Sequence, residues 1–283
     1  MGASNGAPPL FEKKNIMWKL REPLTKRQNF WISVLGLVAI IMLWHVVTEM
    51  KLIPRSILPK PLDVAKSYEY LTNKHDVQYG NVWDRLWYSI RLNLLGYGEA
   101  TIISLVLGSI FGLFTPIRAF FGLYVNASRY IPLSAIAGIF VAMFGLFDVM
   151  KTQFLAAGII VYLVPLVVAR IDETMQIHLD TAHTLKASSL QKVTSVFFPD
   201  VLRRVSSDII TLTAISWAYI IMAEMMNSTG GIGTMVWEAG RRSRHEQAYA
   251  LLFLIVFVGF VQDKLLKLLD QRLFPDKYKK SAV

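Results

Sequence analysis

Six stretches of this chain run without a Lys, Arg, Asp or Glu over roughly the length a helix needs to cross a bilayer: residues 28–48, 100–117, 130–147, 152–169, 209–223 and 247–262. A hydrocarbon core of about 30 Å takes roughly 20 helical residues at about 1.5 Å each. The last two stretches are short, 15 and 16 residues. Each lengthens by accepting a polar residue at its edge, Asp208 or Glu224 in one case, His245 or Glu246 in the other. Trp31 and Trp44 sit near the two ends of the first stretch, as interfacial aromatics do. The pattern predicts an all-α polytopic membrane protein of about six transmembrane helices.

Composition agrees. Of 283 residues, 54% are hydrophobic and only 18% charged, with a mean hydropathy of +0.42. A soluble domain carries about 25% charged residues. The net charge of +10 would suggest nucleic acid in a soluble chain. Beside membrane spans the cations instead flank helices and face anionic lipid, and no nucleic-acid partner is expected. The chain has no cysteine, which excludes a disulfide framework, iron–sulfur ligation and thiol catalysis.

The basic leader (Lys13, Lys14, Lys19, Arg21, Lys26, Arg27) resembles the start of a signal peptide. The apolar block behind it is too long, however, and the residues after it lack a small-residue cleavage site. Residues 1–29 therefore read as a cytoplasmic leader with an interfacial amphipathic helix, residues 30–266 as the transmembrane domain, and 267–283 as a cytoplasmic basic tail. With both termini inside, the inner segments hold 18 Lys and Arg against 10 outside. The strongly basic ends set the N-in, C-in reading.

Residues 171–206, between the fourth and fifth spans, form a cytoplasmic segment too long for a simple helix–helix connection of roughly 2–8 residues. Ile177, Leu185, Leu190, Val193, Val196 and Phe197 recur there at helical spacing among polar residues. Short helices presenting apolar side chains outside the membrane need a partner to cover them. Pro199 is expected to break the run before the next span.

Asp180-Thr-Ala-His-Thr-Leu-Lys-Ala-Ser188, followed by Phe198-Pro199, resembles the EAA loop of permease subunits of bacterial ATP-binding-cassette (ABC) importers. That pattern runs Glu-Ala-Ala, three residues, Gly-Ala-Ser, then Leu-Pro about ten residues later. Leu58-Pro-Lys-Pro61, Tyr130-Ile-Pro132, Ala223-Glu224 and Gly230-Gly-Ile-Gly233 resemble the nitrate/sulfonate/taurine/bicarbonate branch. The sequence departs from the pattern at Asp180 for Glu, Thr181 for Ala, and Arg203-Arg204 for a Pro-Gly. Lys186 stands where the family has Gly. A Gly there suits a left-handed turn, which costs Lys about 1 kcal/mol or more; the turn is either right-handed here or strained.

The resemblance implies the type I importer-permease fold in a bacterial inner membrane. It also implies coupling to a separate cytoplasmic pair of ATP-binding subunits, a second permease copy or homologue, and an extracytoplasmic solute-binding protein. Asp180, Thr181, Ala182, His183, Lys186, Ala187, Ser188 and Pro199 are the implied docking element. No Gly-x-x-x-x-Gly-Lys-Ser/Thr occurs, so the chain is not expected to be an enzyme or to bind a cofactor, and ATP and magnesium belong to the partner ATPase.

Ionisable residues inside spans are expensive and default to functional candidates. Glu99, Arg129 and Glu224, with Ser134, Thr213 and Trp217, are the candidates for a pathway carrying a small anionic solute. The bland readings are an ion pair of Glu99 with Arg91 or Arg129, and hydroxyls bonding back to their own helices. The glycine-rich stretch 227–233 follows a membrane helix and suits a re-entrant turn, with Arg241, Arg242 and Arg244 nearby as candidates to meet the solute-binding protein. The five histidines show no metal-ligand spacing. The alternatives are an ion-gradient-driven secondary transporter, which needs more mid-membrane carboxylates and usually internal repeats, and a non-transporting membrane scaffold.

Overall fold

A computed structural model describes residues 24–73, 81–174, 180–182, 184–226 and 230–278. Residues 1–23 of the leader, Ile177, His178, His183 and residues 227–229 lie outside the described residues. The chain forms two compact units, Met1–Pro61 and Leu62–Val283.

In the first unit α1 (Lys26–Glu49) starts at a capping box: Thr25 Oγ1 accepts from the Gln28 amide and Gln28 Oε1 from the Thr25 amide. Leu35, Ile40 and Leu43 remain more than 60% exposed, a surface that lipid suits and water does not. At its far end the Trp44 indole donates to the Pro59 carbonyl at 3.0 Å.

The second unit contains α2 (Pro61–Asn73), α3 (Val82–Leu113), α4 (Thr115–Ser128), α5 (Leu133–Phe144) and α6 (Asp148–Asp172). A one-turn helix (Ser189–Lys192) and a π-turn (Val193–Phe197) lead into α7 (Phe198–Met226), followed by α8 (Ile232–Arg241) and α9 (His245–Leu273). All regular structure among the described residues is helical.

The centre is α6, whose Leu155, Ala156, Ile159, Leu163 and Val167 are buried against α3 and α7. Glycines bring α3 close. A Cβ at Gly96 would lie 2.8 Å from the Thr152 carbonyl oxygen, and Cβ atoms at Gly108 and Gly112 would collide with Val167 and Ile171. Gly108 and Gly112 are four residues apart, the small-residue spacing that lets membrane helices touch backbone to backbone. On the other side Val201, Val205, Leu212 and Ile220 of α7 close the core. A second cluster packs Leu133 and Ala137 of α5 against Met150 and Phe154 of α6.

Among the described residues five helices are long and apolar enough to cross a membrane. The expected third span, 130–147, is not one of them. Thr115–Ser128 and Leu133–Phe144 instead make a pair bent by 105°, and this pair is the sixth span if it counts as one. With 12 residues, α5 reaches about 18 Å at about 1.5 Å per residue, short of the hydrocarbon thickness. Pro132, which has no amide hydrogen to continue a ladder, is the N-cap of α5 and fixes the corner. The second span also begins earlier than the uncharged stretch, at Val82, and takes in Asp84, Arg85, Arg91 and Glu99. Asp84 completes a capping box with Asn81, Arg85 is buried and engaged, and Glu99 is hydrogen-bonded across to α6.

Pro199 does not break the chain's helical path. It is the second residue of α7, and Ser189–Met226 runs as one helix of 38 residues. A proline deprives the carbonyl four residues back of its donor and crowds it. The π-turn absorbs this: the Phe198 amide donates to the Val193 carbonyl, one residue further than in an α-helix.

Candidate functional site

The segment between α6 and α7 is built by local capping. Residues 180–182 and Thr184 are helical, with the Thr184 hydroxyl donating to the Asp180 carbonyl at 2.9 Å. The Leu185 amide then donates to the Thr181 carbonyl, and the Ala187 amide reaches back to the Ala182 carbonyl at 2.9 Å. This is a Schellman closure, and it requires a left-handed residue at position 186. Lys186 has φ 53°, so the turn is left-handed and the strain of a β-carbon is accepted where glycine would carry none. Ser188 immediately starts the next helix with a capping box to Gln191.

The result is a helix–turn–helix with its outer side open. Asp180, Thr181, Lys186 and Ser188 are exposed and Ala187 is half-buried. Leu185 and Leu190 are 76% and 73% exposed. Ala182 points inward, buried against its own chain. Thr181 and Pro199 line one hollow of about 400 Å³ with Ser195, Val196 and Asp200.

The intramembrane candidates do not gather in one place. Glu99 accepts from the Gln153 amide through both oxygens, at 2.9 Å each, and makes no ion pair with Arg91 or Arg129. Arg129 is exposed at the α4–α5 corner, held by the Asn126 side chain at 2.9 Å and its carbonyl; Ser134 is exposed just beyond. The Thr213 hydroxyl faces its own helix, 3.5 Å from the Ile209 carbonyl, and Thr211 bonds back to Ser207. Thr211, Thr213 and Trp217 nevertheless line one groove with Ile255, Val256 and Gly259 of α9.

Glu224 lies elsewhere, wholly buried. Its Oε1 accepts from the Ser89 hydroxyl of α3 at 2.6 Å and its Oε2 from the Gly233 amide at 2.8 Å. Ser89 Oγ accepts from the Ile232 amide, and the Thr234 hydroxyl donates to the Glu224 carbonyl. The first amides of a helix have no intrahelical acceptor and carry partial positive charge; here a carboxylate and a hydroxyl supply the acceptors. Gly230 and Gly231 both have φ 91°, and a Cβ on Gly231 would run into the Glu224 carboxyl. Residues 230–233 are thus wound around Glu224.

Several polar residues within the membrane helices went unseen in the sequence. Asn93, fully buried, donates to Ser216 Oγ at 3.0 Å and accepts from Gln262 Nε2 at 3.2 Å; Gln262 Oε1 accepts from the Trp217 indole at 2.7 Å. The amides thereby join α3, α7 and α9. Lys151, also fully buried, donates to the Tyr88 hydroxyl at 2.9 Å, and Tyr88 bonds to Asp148. A scan for charges could not find the amides, and nothing in the local sequence distinguishes Lys151 from an interfacial lysine. Outside the spans, burial raises the Tyr68 hydroxyl pKa while that group donates to the Ala250 carbonyl and seats α2 on α9. Of the three outer arginines, Arg244 reaches the Tyr70 hydroxyl at 3.2 Å, while Arg241 and Arg242 are exposed.

Residues 101–275 match the family model "Binding-protein-dependent transport system inner membrane component". The chain is 24% identical to the putative aliphatic sulfonates transport permease protein SsuC of Bacillus subtilis (strain 168), covering 92% of this chain and 93% of that protein. It is 23% identical to the taurine transport system permease protein TauC of Escherichia coli (strain K12), over 91% and 93%. Its fold is similar to that of the MetNI methionine ABC transporter in an inward-facing form, with TM-score 0.59 and 17% identity over 75% of this chain and 98% of that one. The relatives are transport permeases rather than enzymes, and the family works in general with an ATPase and a substrate-binding protein. The chain belongs to the binding-protein-dependent transport system inner membrane components and is a multi-pass permease subunit of an ABC importer.

Proposed function

We propose that this chain forms half of a pathway that brings a small anionic solute into the cell, and that residues 180–190 are the element its ATPase grips. Both termini then face the cytoplasm, with residues 1–29 and 267–283 flanking the transmembrane domain on that side. A single subunit supplies one wall, so a second copy or a homologue faces it, and a solute-binding protein delivers cargo from outside.

The observation that carries the coupling reading is the open side of the helix–turn–helix. Leu185 and Leu190 stand out from a segment whose backbone is capped at both ends, and two apolar side chains held this way gain from burial in a partner's groove, about 1.5–3 kcal/mol each when fully covered. Because Ala182 faces inward, the docking contacts fall to Thr181, Leu185, Lys186, Ala187 and Leu190, while Ala182 sets how closely the turn sits on its own chain. The anionic cargo is supported by the relatives' sulfonate and taurine names and by Arg129, exposed at a helix corner.

Co-purification with a P-loop ATPase tests the reading. The parent chain should retain the ATPase, and Leu185→Asp with Leu190→Asp, or Ala187→Trp, should release it while the permease stays folded in detergent. ATPase binding and uptake that both survive these changes would overturn the assignment. Uptake in liposomes without any ATPase would favour a gradient-driven carrier.

A further inference from the structure

The excursion that carries the docking element is closed at its neck by a chain of alternating charges. Where α6 ends, Arg170 and Glu173 lie one turn apart. Where α7 begins, Asp200, Arg204 and Asp208 follow at four-residue intervals and form one stripe on that helix. The Arg170 guanidinium forks onto Asp208, with Nε to Oδ2 at 2.8 Å and Nη2 to Oδ1 at 2.9 Å. Its Nη1 donates to both Glu173 oxygens at 2.7 and 2.8 Å. Arg204 then joins the two sides of the neck: Nε lies 3.1 Å from Asp200 Oδ2 and Nη1 lies 3.7 Å from Glu173 Oε2.

Single exposed ion pairs contribute little, but bidentate arginine pairs linked in a network are the exception. Asp200 and Asp208 have side chains only 14% and 13% exposed, while Glu173, which both arginines share, is 45% exposed, so solvent screens the α7 half of this chain less than a surface pair. Glu173 is the last residue before the excursion and Asp200 is among the first after it. A push at the 180–190 turn reaches the spans only if these two points stay together. An open neck would let the excursion swing and absorb the push.

We propose that Arg204 is a positioning residue that clamps the neck of the segment 174–199, so that movement imposed at its tip is passed to α6 and α7. The proposal rests on the reading of 180–190 as the ATPase-docking element. Lysine is a poor substitute, because one ammonium cannot present two separated donors in a fixed plane.

The chain's lack of cysteine makes a direct test available. Thr211→Cys places one thiol on the exposed α7–α9 groove, and its alkylation by a maleimide is measured in the assembled permease–ATPase complex, with ATP and vanadate or without nucleotide. The parent should show a nucleotide-dependent change in labelling. Arg204→Ala should reduce that change, and Arg204→Ala with Asp208→Asn, which also weakens the Arg170 fork, should abolish it, while ATPase co-purification and ATP hydrolysis persist. Glu173→Gln should reduce it likewise, and Arg204→Lys should restore the response only in part. Lys267→Ala, which removes the Lys267–Asp263 pair at 2.8 Å on α9, should leave it intact.

A full nucleotide response in Arg204→Ala overturns the clamp. Loss of the ATPase from Arg204→Ala also overturns it, by assigning the residue to the docking surface. Retention of the ATPase by Ala187→Trp overturns the docking reading instead. A parent complex that assembles yet shows no nucleotide response overturns both.

Discussion

The Ser89 hydroxyl and the Glu224 carboxylate meet at 2.6 Å, and the same hydroxyl oxygen accepts the Ile232 amide at 2.9 Å. One serine therefore joins α3, α7 and the start of α8, and Glu224 completes the arrangement by taking the Gly233 amide. The geometry makes Glu224 an anchor for the glycine-rich stretch. Glu224→Ala strands buried donors at Ser89 and Gly233, each worth about 1–3 kcal/mol when unsatisfied. Thermal unfolding in detergent should show a large loss for Ala and a smaller one for Gln, which keeps one acceptor.

Gly231 has to remain glycine. At φ 91° a side chain is strained whatever the space, and here its Cβ would also strike the Glu224 carboxyl. Gly231→Ala should destabilise the chain by about 1–2 kcal/mol from the backbone alone, with a further loss from displacing Glu224. Pairing it with Glu224→Ala should cost less than the sum of the two single changes, as a double-mutant cycle of unfolding midpoints would read.

Lys186 offers the opposite case. Its left-handed backbone closes the Schellman turn, so Lys186→Gly should stabilise the turn by about 1 kcal/mol. Hydrogen exchange at the Ala187 amide, which bonds to the Ala182 carbonyl, should slow accordingly. Lys186→Val should speed it, because a β-branched side chain tolerates that backbone least.

The α3–α6 contact depends on missing side chains. Gly108→Leu inserts a side chain where even a Cβ meets Val167, and overpacking costs about 1–3 kcal/mol or more. Gly98, with nothing within 4 Å of its Cβ position, should accept alanine with no loss. Expression and monodispersity of the two variants in detergent should separate cleanly.

Much of the fold was legible because apolar runs are local. The first, fourth, fifth and sixth uncharged stretches each lie within a helix of the structure. The failures came where the answer lay in another part of the chain. The start of α3 was hidden by Asp84, Arg85 and Glu99, of which Asp84 caps the helix and Glu99 finds its partner on α6. The third span looked continuous because a count of charges is blind to Pro132, which turns the chain through the α4–α5 corner. The Pro199 misreading had a different cause: a proline near a helix start is tolerated when the preceding turn widens. Within the candidate site the family pattern marked Lys186 as the turn position but left the hand of the turn open. The partners of Glu224 were not visible, since Ser89 lies 135 positions away.

The glycine contacts between α3 and α6 bear on how such a subunit can move at all. Gly96 admits the Thr152 backbone while Gly108 and Gly112 seat the Val167 and Ile171 side chains, so the two helices interlock and the pair behaves as a single spar. A push delivered at the neck then carries α3 along with α6, and changes of angle fall to the pieces joined by bends and exposed grooves, α4, α5 and α9, around a member that keeps its length and pitch.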